Sequence, residues 1–259
     1  MNRETIGEVG LIARRSVRRT FRQPALIVPV ILFPLLLLAI NASGLDVTKN
    51  IPNFPADSYL DFALVVTFMQ GGLFAATTAG TELANDIETG FLNRLQLTPL
   101  RPSAILVGQL AGALTVAFLA SLVYLAVGLI AGAHIAAGFG GALVLIGMAM
   151  LVALAFGGLG AIIGARTGSA EAVQGMFPLL FVFFFLSSMN LPRDLIAQAW
   201  FRTVASWNPV SYLVEGLRSL VITGWDGTAI WRFMVAAGAI SVLGFVGASL
   251  SLRTRMERT

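Results

Sequence analysis

ELANDIETGFLNRLQLTPLRP, residues 82–102, is a polar segment between two long apolar runs. Asn85 is a residue type that caps helix N-termini, and Glu88 three residues later would complete a capping box. Three apolar residues recur at every fourth position and would form one apolar face: Ile87, Phe91 and Leu95. Pro99 ends helical geometry soon afterwards. The segment therefore predicts a short amphipathic helix over residues 86–97.

This short helix has two interpretations that the spacing of its residues leaves open. An apolar stripe opposite polar residues is typical of a loop helix that rests on lipid headgroups. The same pattern suits a helix that docks onto another protein. In both cases the helix is expected to join two membrane spans.

The composition places the chain among polytopic membrane proteins. Hydrophobic residues make up 57% of the 259 residues and charged residues 12%, and the mean hydropathy is +0.84. The chain has no cysteine and one histidine, which excludes a disulfide framework and the usual zinc sites. Its only lysine, Lys49, does not follow a glycine, so a phosphate-binding loop of the G-x-x-x-x-G-K-[ST] type is absent from the sequence. ATP hydrolysis by that route is excluded, and we do not expect an enzyme.

Apolar segments near the length of about 20 residues that a bilayer requires recur six times. The predicted spans are 25–42, 59–81, 105–131, 141–164, 172–189 and 231–252. Two amphipathic stretches between the last two spans, 194–205 and 210–222, are too short to cross, and we expect half-helices that dip into the outer leaflet. The predicted fold class is therefore all-α, with one polytopic domain of six transmembrane helices over residues 1–259.

The first 23 residues contain six arginines. Five apolar residues at spacings of three and four would share one helical face: Ile6, Val9, Ala13, Val17 and Phe21. This pattern predicts an interfacial helix along an anionic leaflet, and the plainer alternative is that the arginines only set the topology. Arginine and lysine counts in the short flanks of the spans place both termini, and residues 82–102, on the cytoplasmic side.

Few polar side chains fall inside the predicted spans. Gln70 lies near mid-depth, where we expect an interhelical hydrogen bond. The pair Gly108 and Gly112, and the sequence GGLGAIIG at residues 157–164, are small-residue patterns that let helices approach closely. The phenylalanine-rich run at residues 177–185 either faces lipid and core or lines a route for an apolar ligand, and the first interpretation is favoured.

Two motifs in the chain resemble those of a known family. The pattern E-x-G-x-x-x-R-L-x-x-T-P-x-R is formed by Glu88, Gly90, Arg94, Leu95, Thr98, Pro99 and Arg101. The pattern N-P-x-x-x-x-x-E-x-x-R is formed by Asn208, Pro209, Glu215 and Arg218. Both stand where ABC-2 type transporter permeases have similar motifs, and the chain most resembles the drug-resistance branch of daunorubicin exporters. Gln109 is a departure, since the family commonly has lysine after glycine there.

The resemblance implies a permease subunit with no cofactor of its own. ATP and Mg would be bound by a separate cytoplasmic ABC ATPase, two copies of which dock on a pair of identical or homologous permeases. The docking residues of the coupling helix over 86–97 and its flank would be Asp86, Glu88, Gly90, Phe91, Arg94, Leu95, Thr98, Pro99 and Arg101. The substrate route would be lined by Phe68, Gln70, Phe74, Phe181 and Phe185. The outer gate would contain Asn208, Pro209, and Glu215 paired with Arg218.

The activity that the resemblance implies is outward transport of amphipathic drugs or lipids across a bacterial cytoplasmic membrane. Lipid-linked polysaccharide is the alternative substrate. A membrane anchor or immunity protein that moves nothing is the alternative from another class. The expected partners are the ATPase, a second permease and membrane lipids, with no nucleic acid.

Overall fold

A computed structural model describes residues 3–52, 54–95 and 102–256. Eleven α-helices and two 3-10 turns, at Asp46–Asn50 and Arg193–Leu195, account for the regular structure of these ranges. The helices are α1 (Arg3–Phe21), α2 (Pro24–Gly44), α3 (Tyr59–Glu88), α4 (Phe91–Leu95), α5 (Pro102–Ile130), α6 (Gly138–Thr167), α7 (Ala170–Gly175), α8 (Phe177–Phe185), α9 (Ala199–Trp207), α10 (Pro209–Ile222) and α11 (Gly227–Met256). The all-α class predicted from the sequence is confirmed.

Five helices in the described ranges are long and apolar enough to cross a bilayer, namely α2, α3, α5, α6 and α11. Each contains an 18-residue apolar window with at most two charged side chains. Because a bilayer core requires roughly 20 apolar residues of helix, these five lengths are sufficient. The chain is therefore a multi-pass membrane protein.

The span predicted at residues 172–189 is not one helix, which corrects the sequence interpretation. The chain there forms α7, six residues long, and α8, nine residues long, with Met176 between them. Pro178 lacks the amide hydrogen that a continuous helix would donate to the carbonyl of Gln174, and Gly175 is a poor helix former. At roughly 1.5 Å per residue, neither short helix alone matches the roughly 30 Å of hydrocarbon.

The helix α3 is the centre of the structure. All residues from 62 to 73 are buried, so this part of the helix has no lipid-facing side. It packs against α2, α5, α6 and α10. A helix that is apolar and covered on every side occupies the core of the protein, and the other elements are arranged around it.

Glycines bring α3 and α6 into backbone contact. A Cβ placed on Gly160 would lie 1.8 Å from the carbonyl oxygen of Ala76, and one on Gly164 would lie 2.2 Å from the carbonyl oxygen of Gly80. Gly158 of α6 lies against Gly244 of α11 in a less tight contact, where an added Cβ would lie 3.1 Å from the Gly244 backbone. The close packing predicted for residues 157–164 is confirmed.

The pair Gly108 and Gly112 also allows a close approach, but its partner is the N-terminal helix. Cβ atoms at these positions would lie 2.5 Å from the Ile12 side chain and 2.3 Å from Ser16 Oγ, respectively. The buried face of α1 is therefore formed by Ile12, Ser16 and Thr20. The predicted apolar face of α1 is therefore wrong, since Phe21, which belongs to it, is exposed. The buried residues of α1 are those that face the helix bundle.

The two ends of the bundle differ in charge. One end, which we call the basic end, brings together α1, the last turn of α3, the start of α5 and the ends of α6 and α11. There Arg255 Nη1 donates to the carbonyl of Ala165 at 3.2 Å. At the opposite end the backbone amide of His134 donates to Asp61 Oδ1 at 2.8 Å. The short helices α9 and α10 belong to this opposite end.

All four tryptophans of the chain lie between the start of α9 and the first turns of α11, and all four are exposed. They are Trp200, Trp207, Trp225 and Trp231. Exposed tryptophan is enriched where a membrane meets water, because the ring is apolar and its N–H needs a partner. The opposite end therefore has the composition of a membrane interface.

The predicted half-helix at residues 194–205 begins later than expected, at Ala199.

Substitution of Gly160 by alanine is expected to destabilise the protein strongly, because the added Cβ overlaps the Ala76 carbonyl and forces α3 and α6 apart. Overpacking of this kind costs roughly 1–3 kcal/mol or more. Gly147→Ala in the same helix is the matched control, since no described atom lies within 4 Å of its added Cβ. Thermal unfolding in detergent should show a lower midpoint for Gly160→Ala alone. Equal midpoints would contradict the backbone contact.

Candidate functional site

The segment at residues 82–102 differs from its predicted form. The helix α3 continues to Glu88, so Asn85 is an interior residue whose carbonyl accepts the amide and hydroxyl hydrogens of Thr89. Gly90, with φ of +66°, turns the chain, and the separate short helix α4 follows. Glycine adopts this left-handed conformation without the steric cost that other residues meet. The single helix expected over 86–97 is therefore wrong.

Part of the first family-like motif lies outside the residues that the structure describes. Thr98, Pro99 and Arg101 fall outside the described residues, as does the end of the predicted helix. Glu88 and Arg94 are exposed at the basic end, on either side of the Gly90 turn. Phe91 is half-buried. The exposed turn is thus the part of the segment that a partner can reach.

Asp86 is buried and anchors the N-terminal helix. Arg15 donates to both of its carboxylate oxygens at 2.8 Å, and Arg19 donates to Oδ1 at 3.0 Å. The amide of Gln109 on α5 also donates to Asp86. With a side chain only 1% exposed, Asp86 is not available to a docking protein. The prediction that Asp86 belongs to the docking surface is therefore wrong. Asp86 instead stabilises the helices beneath that surface.

Glu82 lies one turn earlier on α3 and faces the same helix α1. Its carboxylate oxygens lie 2.9 Å from Ser16 Oγ and 3.2 Å from Thr20 Oγ1. Both hydroxyls are buried, so they find their acceptor inside the protein. This explains why serine and threonine occupy two of the three buried positions among the described side chains of α1.

Gln109 keeps this cluster electrically balanced. The buried carboxylates of Glu82 and Asp86 stand against the guanidinium groups of Arg15 and Arg19. A lysine at position 109, as the family commonly has, would add a third cation beside Asp86. The neutral amide supplies the hydrogen bond without the charge, and so the departure seen in the sequence fits its surroundings.

Arg15 connects the cluster to α4. Its guanidinium carbon lies 3.6 Å from the centre of the Phe91 ring, a cation–π contact. The hydrogen bonds with Asp86 raise the pKa of Arg15 above its ordinary value, against the effect of its partial burial. The short helix after the Gly90 turn is therefore held in place by the same arginine that binds α1 to α3.

The predicted substrate-route residues separate into two groups. Phe74 and Phe181 join an aromatic cluster with Phe33 and Phe177, with ring centres 4.9–6.5 Å apart. Phe185 lies against Phe181 and is 52% exposed. This cluster brings together α2, α3 and α8.

The other two route residues lie elsewhere. Phe68 is buried with its ring edge against Tyr124 of α5. Gln70 is also buried, and its Oε1 has no hydrogen-bond partner in the described ranges. The interhelical hydrogen bond favoured for Gln70 is therefore not formed by this oxygen, and neither residue belongs to the aromatic cluster.

A groove of about 260 Å³ opens between α2, α3 and α7 toward the basic end. Its α3 wall contains the ring of Phe74 and, one turn further on, hydroxyl groups and a carboxylate. The lining residues of this wall are Phe74, Thr77, Thr78, Thr81, Glu82 and Asn85. One wall therefore changes from aromatic to polar along its length.

The second motif joins α10 to the end of α8. Asn208 Oδ1 accepts the amide hydrogen of Val210 at 2.9 Å and so caps α10. Its side-chain amide donates to the carbonyls of Phe183 and Leu186 at 2.6 and 3.0 Å. Pro209 occupies the first helical position, where its missing amide hydrogen costs nothing. Both motif residues thus have a structural explanation.

Glu215 pairs with Arg193 and not with Arg218, which corrects the predicted ion pair. Arg193 donates to both Glu215 oxygens, through Nε at 2.7 Å and through Nη2. Burial lowers the pKa of Arg193, but the hydrogen bonds and charge of Glu215, together with Tyr212, outweigh this effect and leave the pKa raised. The ring of Tyr212 lies 4.8 Å from the same guanidinium. A bidentate pair of this kind fixes the orientation of both side chains.

Arg218 is held by backbone carbonyls instead. It donates from Nη1 to Ser188 at 2.9 Å and from Nη2 to Met189 at 2.7 Å, and its guanidinium carbon lies 3.6 Å from the ring centre of Phe62. Only 6% of the residue is exposed. Burial lowers the pKa of Arg218 to about 9, which still leaves it charged at neutral pH. These contacts explain why it does not reach Glu215.

Sequence reasoning missed Arg15, Arg19 and Glu82 at one end and Arg193 at the other. Arg15 and Arg19 are four apart and therefore share a helical face, which was an available signal. No comparable signal exists for Arg193, because its partner is 22 residues away across a chain reversal.

Replacement of Asp86 by asparagine is expected to loosen α1, because Arg15 and Arg19 lose their common carboxylate. We expect a loss of roughly 1–3 kcal/mol, with the partial exposure of both arginines keeping it toward the lower value. Hydrogen exchange of α1 amides should become faster. Glu88→Gln, at an exposed position in the same helix, should leave the exchange unchanged. Identical protection in the two variants would contradict the anchoring role.

Comparison with known proteins identifies the family of the chain. A family model for the ABC-2 type transporter matches residues 7–222. A protein of Porphyra purpurea named as a transport permease, ycf38, is 24% identical over 227 residues, which cover 87% of this chain and 78% of that protein. A protein of the same name from Pyropia yezoensis is 28% identical over 225 residues, or 83% and 74% of the two chains. The chain belongs to the ABC-2 type transporter family.

Proposed function

We propose that this chain is the permease subunit of an ATP-driven exporter that moves amphipathic drugs or lipids outward across a bacterial cytoplasmic membrane. The observation that carries the proposal is the ion cluster at the basic end. This cluster fixes an N-terminal helix and an exposed turn to the end of the central membrane helix α3. A partner that pushes on the turn therefore acts directly on α3.

The proposed ATPase-docking surface consists of the Gly90 turn with its exposed flanks Glu88 and Arg94. The turn is held in position by its neighbours, since Phe91 lies under Arg15 and Arg15 is bound to Asp86. A support of this kind reduces the ordering cost of binding. Thr98, Pro99 and Arg101, together with Leu95, complete the surface by family resemblance.

The proposed orientation places the basic end in the cytoplasm. Three arginines of the N-terminal segment that do not contact Asp86 are exposed there: Arg14 and Arg18 in α1, and Arg22 directly after it. Arginine-rich flanks remain on the cytoplasmic side of membrane proteins. The exposed tryptophans at the opposite end then mark the outer interface. Both termini are cytoplasmic in this arrangement.

The proposed complex contains two copies of this permease, or this permease with a homologous one, and two ATPase subunits. ATP and Mg would be bound by the ATPase alone, which agrees with the missing phosphate-binding loop in the sequence. The second permease would cover the groove between α2, α3 and α7. Membrane lipids are the remaining partners.

The proposed substrate class follows from the α3 wall of that groove. Phe74 offers apolar contact and is joined to Phe181 through Phe177, while Thr77, Thr78 and Thr81 offer hydroxyl groups on the same helix. A molecule with one apolar and one polar part matches both regions. Phe185 would extend the apolar contact toward the opposite end.

The proposal is tested on the complex purified from native membranes and reconstituted in nanodiscs. A stoichiometric P-loop ATPase should co-purify, and hydrophobic amines or lipids should change its hydrolysis rate several-fold. A response to lipid-linked polysaccharide alone would support the alternative substrate. Purification of the chain without any ATPase would favour an anchor or immunity protein and would overturn the proposal.

Substitution of Arg94 by glutamate should reduce ATPase recruitment by about tenfold, because one charged contact contributes roughly 1.5–3 kcal/mol. The amount of ATPase retained per permease in pull-down measures this effect. Arg202→Glu, an exposed arginine of α9 at the opposite end, is the matched control and should bind normally. Equal retention by both variants would contradict docking at the Gly90 turn.

A further inference from the structure

A polar cavity of about 540 Å³ lies at the opposite end of the bundle, between the Arg193–Leu195 turn, α10 and the start of α11. Its size is within the range of pockets that bind small molecules, roughly 300–1,000 Å³. The lining contains three arginines and three carboxylates: Arg193, Arg218 and Arg232, and Asp194, Glu215 and Asp226.

Two of the three carboxylates of the wall accept hydrogen bonds from the protein. Both oxygens of Glu215 accept hydrogen bonds from Arg193. Asp226 Oδ1 accepts the backbone amides of Thr228 and Ala229 and so caps α11. Asp194 is exposed at the rim, where water screens its charge.

Two of the cations, in contrast, have no carboxylate partner within the described ranges. Arg232 is exposed and forms no ion pair there. Within the described residues Arg218 donates only to backbone carbonyls, and its buried Nε has no hydrogen-bond acceptor. No carboxylate neutralises this guanidinium by direct contact, so its positive charge lies against the wall of the cavity.

We propose that this cavity binds a phosphate group, either in the headgroup of an anionic phospholipid or as the free ion. Two arginines without carboxylate partners attract an anion, and guanidinium groups bind phosphate oxygens in a fork-like geometry. Trp225 and Trp231 adjoin two residues of the wall in the sequence, and both are exposed and mark the membrane interface. We therefore infer that the cavity lies at the depth of lipid headgroups.

The test uses the purified full chain and does not require the ATPase or any transport, so its outcome is independent of the proposed function. Arg232→Gln is the informative variant, because the residue is exposed and its loss leaves the Arg218 contacts intact. Arg202→Gln, outside the cavity at the same end, is the control. Unfolding midpoints in the absence of phosphate should be equal in the three proteins.

Two probes separate the two sources of phosphate. Native mass spectrometry of samples titrated with phosphatidylglycerol should show about tenfold weaker lipid retention for Arg232→Gln than for the control, if the source is a headgroup. Inorganic phosphate at constant ionic strength should raise the unfolding midpoint of the control but not of Arg232→Gln, if the source is the free ion. Indistinguishable behaviour of both variants with both probes would overturn the proposal.

Discussion

The structure depends on the contact between the backbones of α3 and α6. Where Gly160 faces Ala76 and Gly164 faces Gly80, there is no room for a Cβ atom. Helices in a membrane gain little from the hydrophobic effect when they associate, so close backbone packing must supply the attraction. This contact holds α3 inside the bundle, and the remaining helices then cover its other sides.

The burial of α3 explains where the charged residues of this helix lie. Its middle is buried on all sides and accommodates no charge, so Asp86 and Glu82 fall in the last turns, where α1 brings two guanidinium and two hydroxyl groups to meet them. The N-terminal helix is therefore a structural part of the bundle. Its exposed arginines remain on the outside, and its serine and threonine lie inside.

The sequence was sufficient for features that depend on local pattern and insufficient for those that depend on distant partners. Glycines four apart predicted the tight helix contacts, because small residues are required wherever backbones touch. The capping pattern at Asn85 was misleading, since its neighbours find acceptors and donors in α1 and α5 and the helix simply continues. The pairing of Glu215 with Arg193 follows from a chain reversal that no spacing rule describes.

The geometry of α3 also limits how the two ends of the molecule can influence each other. Asp86 binds α1 near one end of this helix, and Phe62 lies beneath Arg218 near the other, at a separation of about 36 Å for roughly 1.5 Å per residue. Bending α3 between these points, or moving it alone, would open the contact at Gly160 and leave both backbones poorly packed. A displacement of α3 that keeps this packing therefore has to carry α6 with it.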